Sequence, residues 1–484
     1  MLNTADGSNL DVLFIYPPTE LGKKPKFSYP PLGILYLASF LKEKGFKVKV
    51  IDFEVKGHSL SQIMDIVSGE KPLLTCISIM TPQAVSCLEI AEAVKKKIKT
   101  FIAVGGPHIS STREEILRFT DAIDFAVYQE GEHTLHELLK CLKGKDELKD
   151  GLGDDLNKVK GLIYKRDREI IRNLPRERIA DLDELPFPDL GMIDIGDYDS
   201  YYAKTLPLTS MVCSRGCPYQ CSFCDQYATH GRVLRLRSPE NVVDEIEKNY
   251  HGYGIKQIVF KDSTFTVNKD WIKKLCEEIG RRKLKINWVC NTRVDHIDDE
   301  LLGQISSAGC YMIQLCIESG SQKILDNINK NIRIPQIVDA VKLCKKHDIK
   351  VCGYFMIGNP GETKETAEES IRFAKSLGLD YVLFCVTVAY PNTELYNWAV
   401  KNNVLSDKLW YMKKIPNKAR GVRTLIGNLN LSGFPVEEQI RMVKKADRLF
   451  YLRFGYILKR IMSISSPGEL KRIIKSAKEV FFGS

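Results

Sequence analysis

Short apolar runs alternate with helical segments twice along this chain, and no other feature constrains its fold as tightly. An apolar run without polar alternation suits a strand buried on both faces, and parallel strands of that kind need a crossover helix between them. Between residues 11 and 150 the runs are Val12–Tyr16, Lys47–Asp52, Leu73–Ile79, Thr100–Val104 and Ile123–Val127. This pattern predicts an α/β fold, a Rossmann-like doubly wound parallel sheet whose ligand lies at the carboxyl ends of the strands. The turns that fall there are Pro30-Pro31-Leu32-Gly33, Gly105-Gly106-Pro107-His108 and Gln129-Glu130-Gly131-Glu132.

Residues 151–205 change character, with a hairpin expected over Lys158–Asn173 and an extended linker at Pro186-Phe187-Pro188, since proline resists helix and sheet. A domain boundary is placed in this stretch. Residues 206–400 alternate again. Strands are predicted at 207–212, 256–260, 286–290, 312–317, 350–357 and 380–388, with helices at 239–250, 268–280, 298–308, 334–347 and 363–376. Such a series fits a partial (β/α)6 barrel, with its chemistry at the strand C-termini. Residues 401–484 are expected to form a helical C-terminal region.

The chain has 484 residues, a formal net charge of +10 and 14 cysteines. The charge suits either a solvated lysine-rich surface, an anionic ligand or a membrane face. The polar opening Met1–Leu10 predicts no signal peptide, and no run reaches the roughly 18 apolar residues of a membrane span. A cytoplasmic location is expected, where clustered thiols bind metal more often than they pair.

One cysteine cluster stands out. The loop after the first strand of the second series reads Cys213-Ser-Arg-Gly-Cys217-Pro-Tyr-Gln-Cys221-Ser-Phe-Cys224. A CxxxCxxC spacing arises by chance only about 0.01 times at this cysteine content. Three thiolates on a cubane of four irons leave one iron open to chelate a small molecule. Zinc is the competing metal. Its structural sites want four donors, and Cys213 as a fourth gives an odd zinc spacing.

The CxxxCxxC loop resembles the radical S-adenosylmethionine (SAM) superfamily, and further motifs follow in the same order. Phe260 to Phe265 ends the second barrel strand, where the resemblance implies that Asp262 contacts the SAM amino group. Trp288 to Arg293 ends the third, with Arg293 on the SAM carboxylate. Ile317-Glu318-Ser319-Gly320 ends the fourth, with Glu318 on the ribose. Gly353 to Glu362 ends the fifth, with backbone at Ile357 and Gly358 near adenine. By this resemblance Cys217, Cys221 and Cys224 hold a [4Fe–4S] cluster that cleaves SAM.

A Rossmann-like domain ahead of such a barrel is similar to the cobalamin-binding radical SAM family. The resemblance implies a cobalamin-binding domain over residues 1–150, with Pro31, Gly33, Gly105, Gly106 and His108 near the corrin. The DxHxxG motif that supplies a lower cobalt ligand is absent from residues 1–150, so base-off binding is expected. The implied activity is cobalamin-dependent methylation of an unactivated carbon in a small-molecule or lipid substrate. The implied electron donor is external, such as flavodoxin or ferredoxin. The alternatives are radical cyclisation, ring rearrangement or carbon–carbon coupling, and, more remotely, a zinc-stabilised nucleic-acid-binding protein. Cys76, Cys87 and Cys141, a candidate second cluster of the methylthiotransferase kind, read instead as core residues.

Residues 437–462 mix Arg441, Lys444, Lys445, Arg448, Arg453, Lys459 and Arg460 with many apolar side chains. A helix of this kind suits an anionic membrane surface. Its apolar residues occur nearly all round, which suits packing against the barrel better.

Overall fold

The computed structural model describes residues 10–25, 27–143, 155–166, 169–405, 407–413, 431–462 and Leu470. The remainder of the predicted C-terminal region lies outside the described residues. The chain divides into two compact units, one of residues 1–198 with 226–231, the other of 199–225 with 232–484.

The first unit is built on β1 (Leu10–Tyr16), β2 (Val48–Asp52), β3 (Pro72–Ser78), β4 (Phe101–Gly105) and β5 (Phe125–Val127), extended by β6 (Leu162–Arg166) and β7 (Glu169–Arg172). The sheet order is β2-β1-β3-β4-β5-β6-β7. β1 to β5 pair in parallel. β6 and β7 are antiparallel additions at the β5 edge. The hairpin expected within residues 151–205 therefore joins this sheet as β6 and β7. Pairing β5 with β6 satisfies backbone groups that an edge would leave open. Helices α1 (Leu32–Glu43), α2 (Leu60–Val67), α3 (Ala84–Lys97), α4 (Pro107–Thr112) and α5 (Glu132–Leu142) connect the strands. A short helix, α6 (Gln226–His230), also belongs to this unit, although Cys224 just before it belongs to the other.

The second unit's sheet uses β8 (Leu208–Met211), β11 (Gln257–Phe260), β12 (Asn287–Thr292), β13 (Cys310–Glu318), β14 (Lys350–Ile357) and β15 (Tyr381–Val386). Neighbours in sequence are neighbours in the sheet, and every pair is parallel. Right-handed crossovers between sequential neighbours put all helices on one side, which curls the sheet toward a partial barrel. A two-stranded ribbon, β9 (Ser214–Arg215) with β10 (Arg235–Leu236), flanks the loop after β8.

The helix starts follow from local chemistry. Ser238 caps α7 (Pro239–Tyr253), which carries proline in its first turn. Asn268 caps α8 (Lys269–Arg281), Asp298 caps α9 (Asp299–Ser307) and Thr363 caps α12 (Lys364–Ser376). Each side-chain oxygen accepts a backbone N–H that the helix leaves unpaired. α10 (Gln322–Asn327) and α11 (Ile334–Lys346) lie between β13 and β14. Trp288 anchors the core, fully buried against Phe260 and Phe265, with its indole N–H donated to Ala308 O at 2.8 Å. Cys76 and Cys87 are buried core residues and Cys141 is half-buried.

Gly106 is required by the fold itself. Its φ is +100°, and a Cβ there would lie 2.7 Å from Ile79 O. Gly106→Ala is expected to destabilise the first unit by about 1–3 kcal/mol through left-handed strain and this clash. Urea unfolding of the full-length protein reads the change.

Candidate active site

Backbone anchors shape the loop after β8. Gly216, at φ +95°, passes so close to Val233 O that a Cβ would lie 2.1 Å from it. Cys224 N donates to Cys221 O at 3.1 Å, and Ser222 N donates to Ile328 O at 3.1 Å. Asn329 Nδ2 donates to Gln220 O at 2.8 Å. Cys217, Cys221 and Cys224 are in no disulfide and are partly accessible, whereas Cys213 is buried. Asp262, placed by the end of β11, accepts from Cys213 N at 3.0 Å and from the Ser214 hydroxyl at 2.5 Å. Burial pushes its carboxyl up to about 6, against these hydrogen bonds. Asp262 thus holds the root of the cysteine loop.

Arg293 ends β12. Its guanidinium stacks over Tyr219 at 3.9 Å, lies 3.9 Å from Cys221 Sγ and pairs with Asp295 at 2.9 Å. It also donates to Lys330 O at 2.9 Å. Tyr219 is hydrogen-bonded to His296. Glu318 sits at a bulge where β13 leaves register with β14, and its φ is +70°. Its carboxylate pairs with the buried Lys330 ammonium at 2.9 Å. Burial alone lowers the Lys330 pKa, yet Glu318, Cys316 and Cys221 carry it above the ordinary lysine value. The Cys221 thiol is pushed up by burial, while Lys330 and Arg293 oppose that shift. Arg293 and Glu318, both singled out from sequence, are therefore brought together with the cysteine loop. Glu318 is already engaged in a buried ion pair and Arg293 in a part-buried one.

Ile357 ends β14 and Gly358 follows it. Ile357 O accepts from Thr387 N at 2.8 Å. Glu362 accepts from Gly358 N at 2.6 Å and Asn359 N at 3.0 Å, and burial pushes its carboxyl up to about 7. A Cβ on Gly358 would lie 2.1 Å from Gln439 Oε1. Sequence reasoning missed Lys330, Tyr219, Asp295 and Gln439. Lys330 is one lysine among many in an unpatterned loop, and only the tertiary fold places it beside Glu318.

In the first unit, Pro31 precedes α1 and Gly33 has open space where a Cβ would project. Gly105, at the end of β4, has only ordinary contact with Val127. Gly105 leaves bare backbone at a strand end and Gly33 leaves it in the first turn of α1, as close approach of a large ligand requires. Gly106 faces Ile79 instead. His108, expected near the corrin, is 1% exposed, with Nδ1 3.2 Å from Thr81 Oγ1. Burial pushes its imidazole down to about 3, so the ring is neutral and turned into the protein.

Among the described residues no three His, Cys, Asp or Glu side chains are gathered as around one metal ion. A cubane asks for something different, since each thiolate binds a different iron. Three soft thiols spaced along one loop, beside Arg293 and Lys330, fit that donor set.

The Radical SAM superfamily profile matches residues 211–374, and the B12 binding domain profile matches residues 19–139. The chain is 33% identical over 476 residues to the uncharacterized methyltransferase PH0819 of Pyrococcus horikoshii, covering 98% of this chain and 99% of that protein. The chain belongs to the radical SAM superfamily, among members with an N-terminal B12-binding domain, and is an enzyme using a [4Fe–4S] cluster, SAM and cobalamin. It is 30% identical over 400 residues to the anaerobic magnesium-protoporphyrin IX monomethyl ester cyclase of Cereibacter sphaeroides, covering 80% of this chain and 63% of that protein. The fold is shared with the radical SAM methyltransferase TsrM of Kitasatospora setae, solved with cobalamin and a [4Fe–4S] cluster. That match has a TM-score of 0.66 at 19% identity and covers 88% of this chain and 81% of TsrM.

Cys217→Ala, Cys221→Ala or Cys224→Ala is expected to lose bound iron and its charge-transfer absorbance in anaerobically reconstituted protein. Cys213→Ser is expected to keep both, because Cys213 is buried at the root of the loop. Iron and sulfide analysis of the four variants checks the assignment.

Proposed function

We propose that this protein methylates an unactivated carbon of a small-molecule substrate in the cytoplasm, drawing electrons from an external flavodoxin or ferredoxin. The observation that carries this reading is the three-thiol loop of Cys217, Cys221 and Cys224, in a chain matching a methyltransferase-named relative along 98% of its length. When bound, the cluster, SAM and cobalamin supply reductive cleavage and methyl carriage. The chain's own task is to hold and orient them. Cys217, Cys221 and Cys224 provide thiolates. Arg293 and Lys330 keep positive charge beside Cys221, which favours its ionised form. Glu318 and Arg293 are assigned to the polar groups of SAM, and Ile357 and Gly358 offer backbone to its base. Gly33 and Gly105 leave room for the corrin, and Asp262 keeps the cysteine loop in place.

Turnover is expected to yield S-adenosylhomocysteine and 5′-deoxyadenosine together, since methylation consumes SAM in both ways. Product analysis showing 5′-deoxyadenosine alone would move the reading to ring formation or rearrangement. Glu318→Ala is expected to weaken SAM binding roughly 10- to 150-fold while retaining the cluster.

A second observation favours contact with an anionic lipid surface. In α14 (Phe454–Met462), which follows α13 (Val436–Tyr451), the polar side chains reach back to the protein while the Lys459 side chain stays 65% exposed. Tyr456 bonds Asp380 O at 2.9 Å, Lys459 reaches Asp380 at 3.1 Å and Arg460 lies 5.0 Å over Tyr381. Phe454 is 82% and Met462 72% exposed, with Leu458 and Ile461 also exposed. No helix among the described residues is long and apolar enough to cross a membrane. Full-length protein is expected to float with anionic liposomes at low salt, and Phe454→Ser/Met462→Ser to remain at the bottom of the gradient.

A further inference from the structure

Three arginines of the first unit gather beyond the ends of its last parallel strand and its added hairpin. Arg113 follows α4, Arg172 ends β7, and Arg178 lies further along the same chain segment. Burial lowers the Arg113 pKa, and the charges of Arg172 and Arg178 lower it further, while Tyr128 and Glu114 act the other way. Glu114 is the acid at hand, and it is engaged with Arg172 at 3.3 Å and Arg118 at 3.8 Å. Among the described residues neither Arg113 nor Arg178 forms an ion pair, and Arg113 Nη1 and Arg178 Nε are buried without an acceptor.

The group is held in place. Arg113 adopts a φ of +57°, a conformation that costs a non-glycine residue about 1 kcal/mol or more. Its guanidinium lies 4.5 Å over the Tyr128 ring, and Tyr128 is fixed by donating to Asn173 O at 2.7 Å. The Arg178 guanidinium lies against Gly231, where a Cβ would come within 2.8 Å of it. Buried donors without acceptors and clustered like charges both destabilise a fold. A chain that also strains its backbone to present them has a place for a ligand bringing oxygen acceptors and negative charge. Guanidinium forks match phosphate oxygens in shape and charge.

We propose that Arg113 and Arg178, with Arg172 at the rim, form a phosphate-binding subsite in the N-terminal unit. The phosphate ester it takes has two sources, the phosphodiester of cobalamin's nucleotide tail or a phosphate on the substrate. The first source rests on cobalamin binding, and the second does not.

The test uses full-length protein and the variant Arg113→Met/Arg178→Met. Inorganic phosphate is expected to raise the melting temperature of the wild type more than chloride does at equal ionic strength. The variant is expected to melt higher than the wild type without phosphate, because the repulsion is gone, and to lose the phosphate response. Cobinamide lacks the nucleotide and its phosphate. If the cofactor is the source, the wild type binds cobalamin about 10-fold or more tightly than cobinamide and the variant loses that preference. If the substrate is the source, the phosphate response is present and lost in the variant, while both corrinoids bind alike in both proteins. A phosphate response that persists in the variant overturns the proposal. So does a wild type showing neither a phosphate response nor a corrinoid preference, which is read without any variant. Failure of both corrinoids to bind, with the phosphate response intact, rejects the cobalamin reading and keeps the subsite.

Discussion

The site of the second unit depends on one buried ion pair, Lys330 with Glu318. Two charges taken out of water lose hydration that their mutual attraction only partly restores. Here the remaining stabilisation comes from neighbours. Lys330 also feels Cys221 and Cys316, and its backbone carbonyl accepts from Arg293, which is itself balanced by Asp295. Removing either member leaves an uncompensated charge next to a cluster thiol. The pair therefore couples three loops, those after β8, β12 and β13, into one polar constellation. The β13 bulge serves the same end. A strand in regular register would alternate its side chains, whereas the shift between Cys316 and Glu318 and the positive φ of Glu318 re-aim the carboxylate.

Parallel sheets bring this constellation about. Every strand of the second sheet runs the same way, so the residues ending β8, β11, β12, β13 and β14 share one edge although they are far apart in sequence. The first unit obeys the same rule until β5. There the antiparallel hairpin of β6 and β7 closes the edge and carries Arg172 alongside.

Strands and helices were legible because each carries a local signal. Buried strands such as Val12–Tyr16 are apolar throughout, and helices such as α7 and α12 begin at a capping Ser or Thr. The cysteine spacing, too, is local, and Arg293 and Glu318 were visible as charged residues at strand ends. What escaped was pairing at long range. No pattern in the loop around Lys330 marks it as the partner of Glu318, and none marks Gln439 as the neighbour of Gly358. Nor does the hairpin at 162–172 announce which sheet it joins, since that depends on the open edge of β5.

The Gly105-Gly106-Pro107-His108 turn shows how a single motif divides its labour once folded. From sequence all four residues read alike, as a turn at the ligand edge. In three dimensions Gly105 has ordinary clearance, while Gly106 needs its positive φ to pass Ile79, and His108 is packed inside against Thr81. The turn thus presents backbone at Gly105, passes close to Ile79 at Gly106 and packs His108 of α4 against Thr81. A neutral, buried imidazole suits that role, because burial disfavours the charged form. The absence of DxHxxG from residues 1–150 and the inward His108 point the same way. Neither places a side-chain donor at the carboxyl edge of this sheet, so what the turn presents there is the backbone of Gly105.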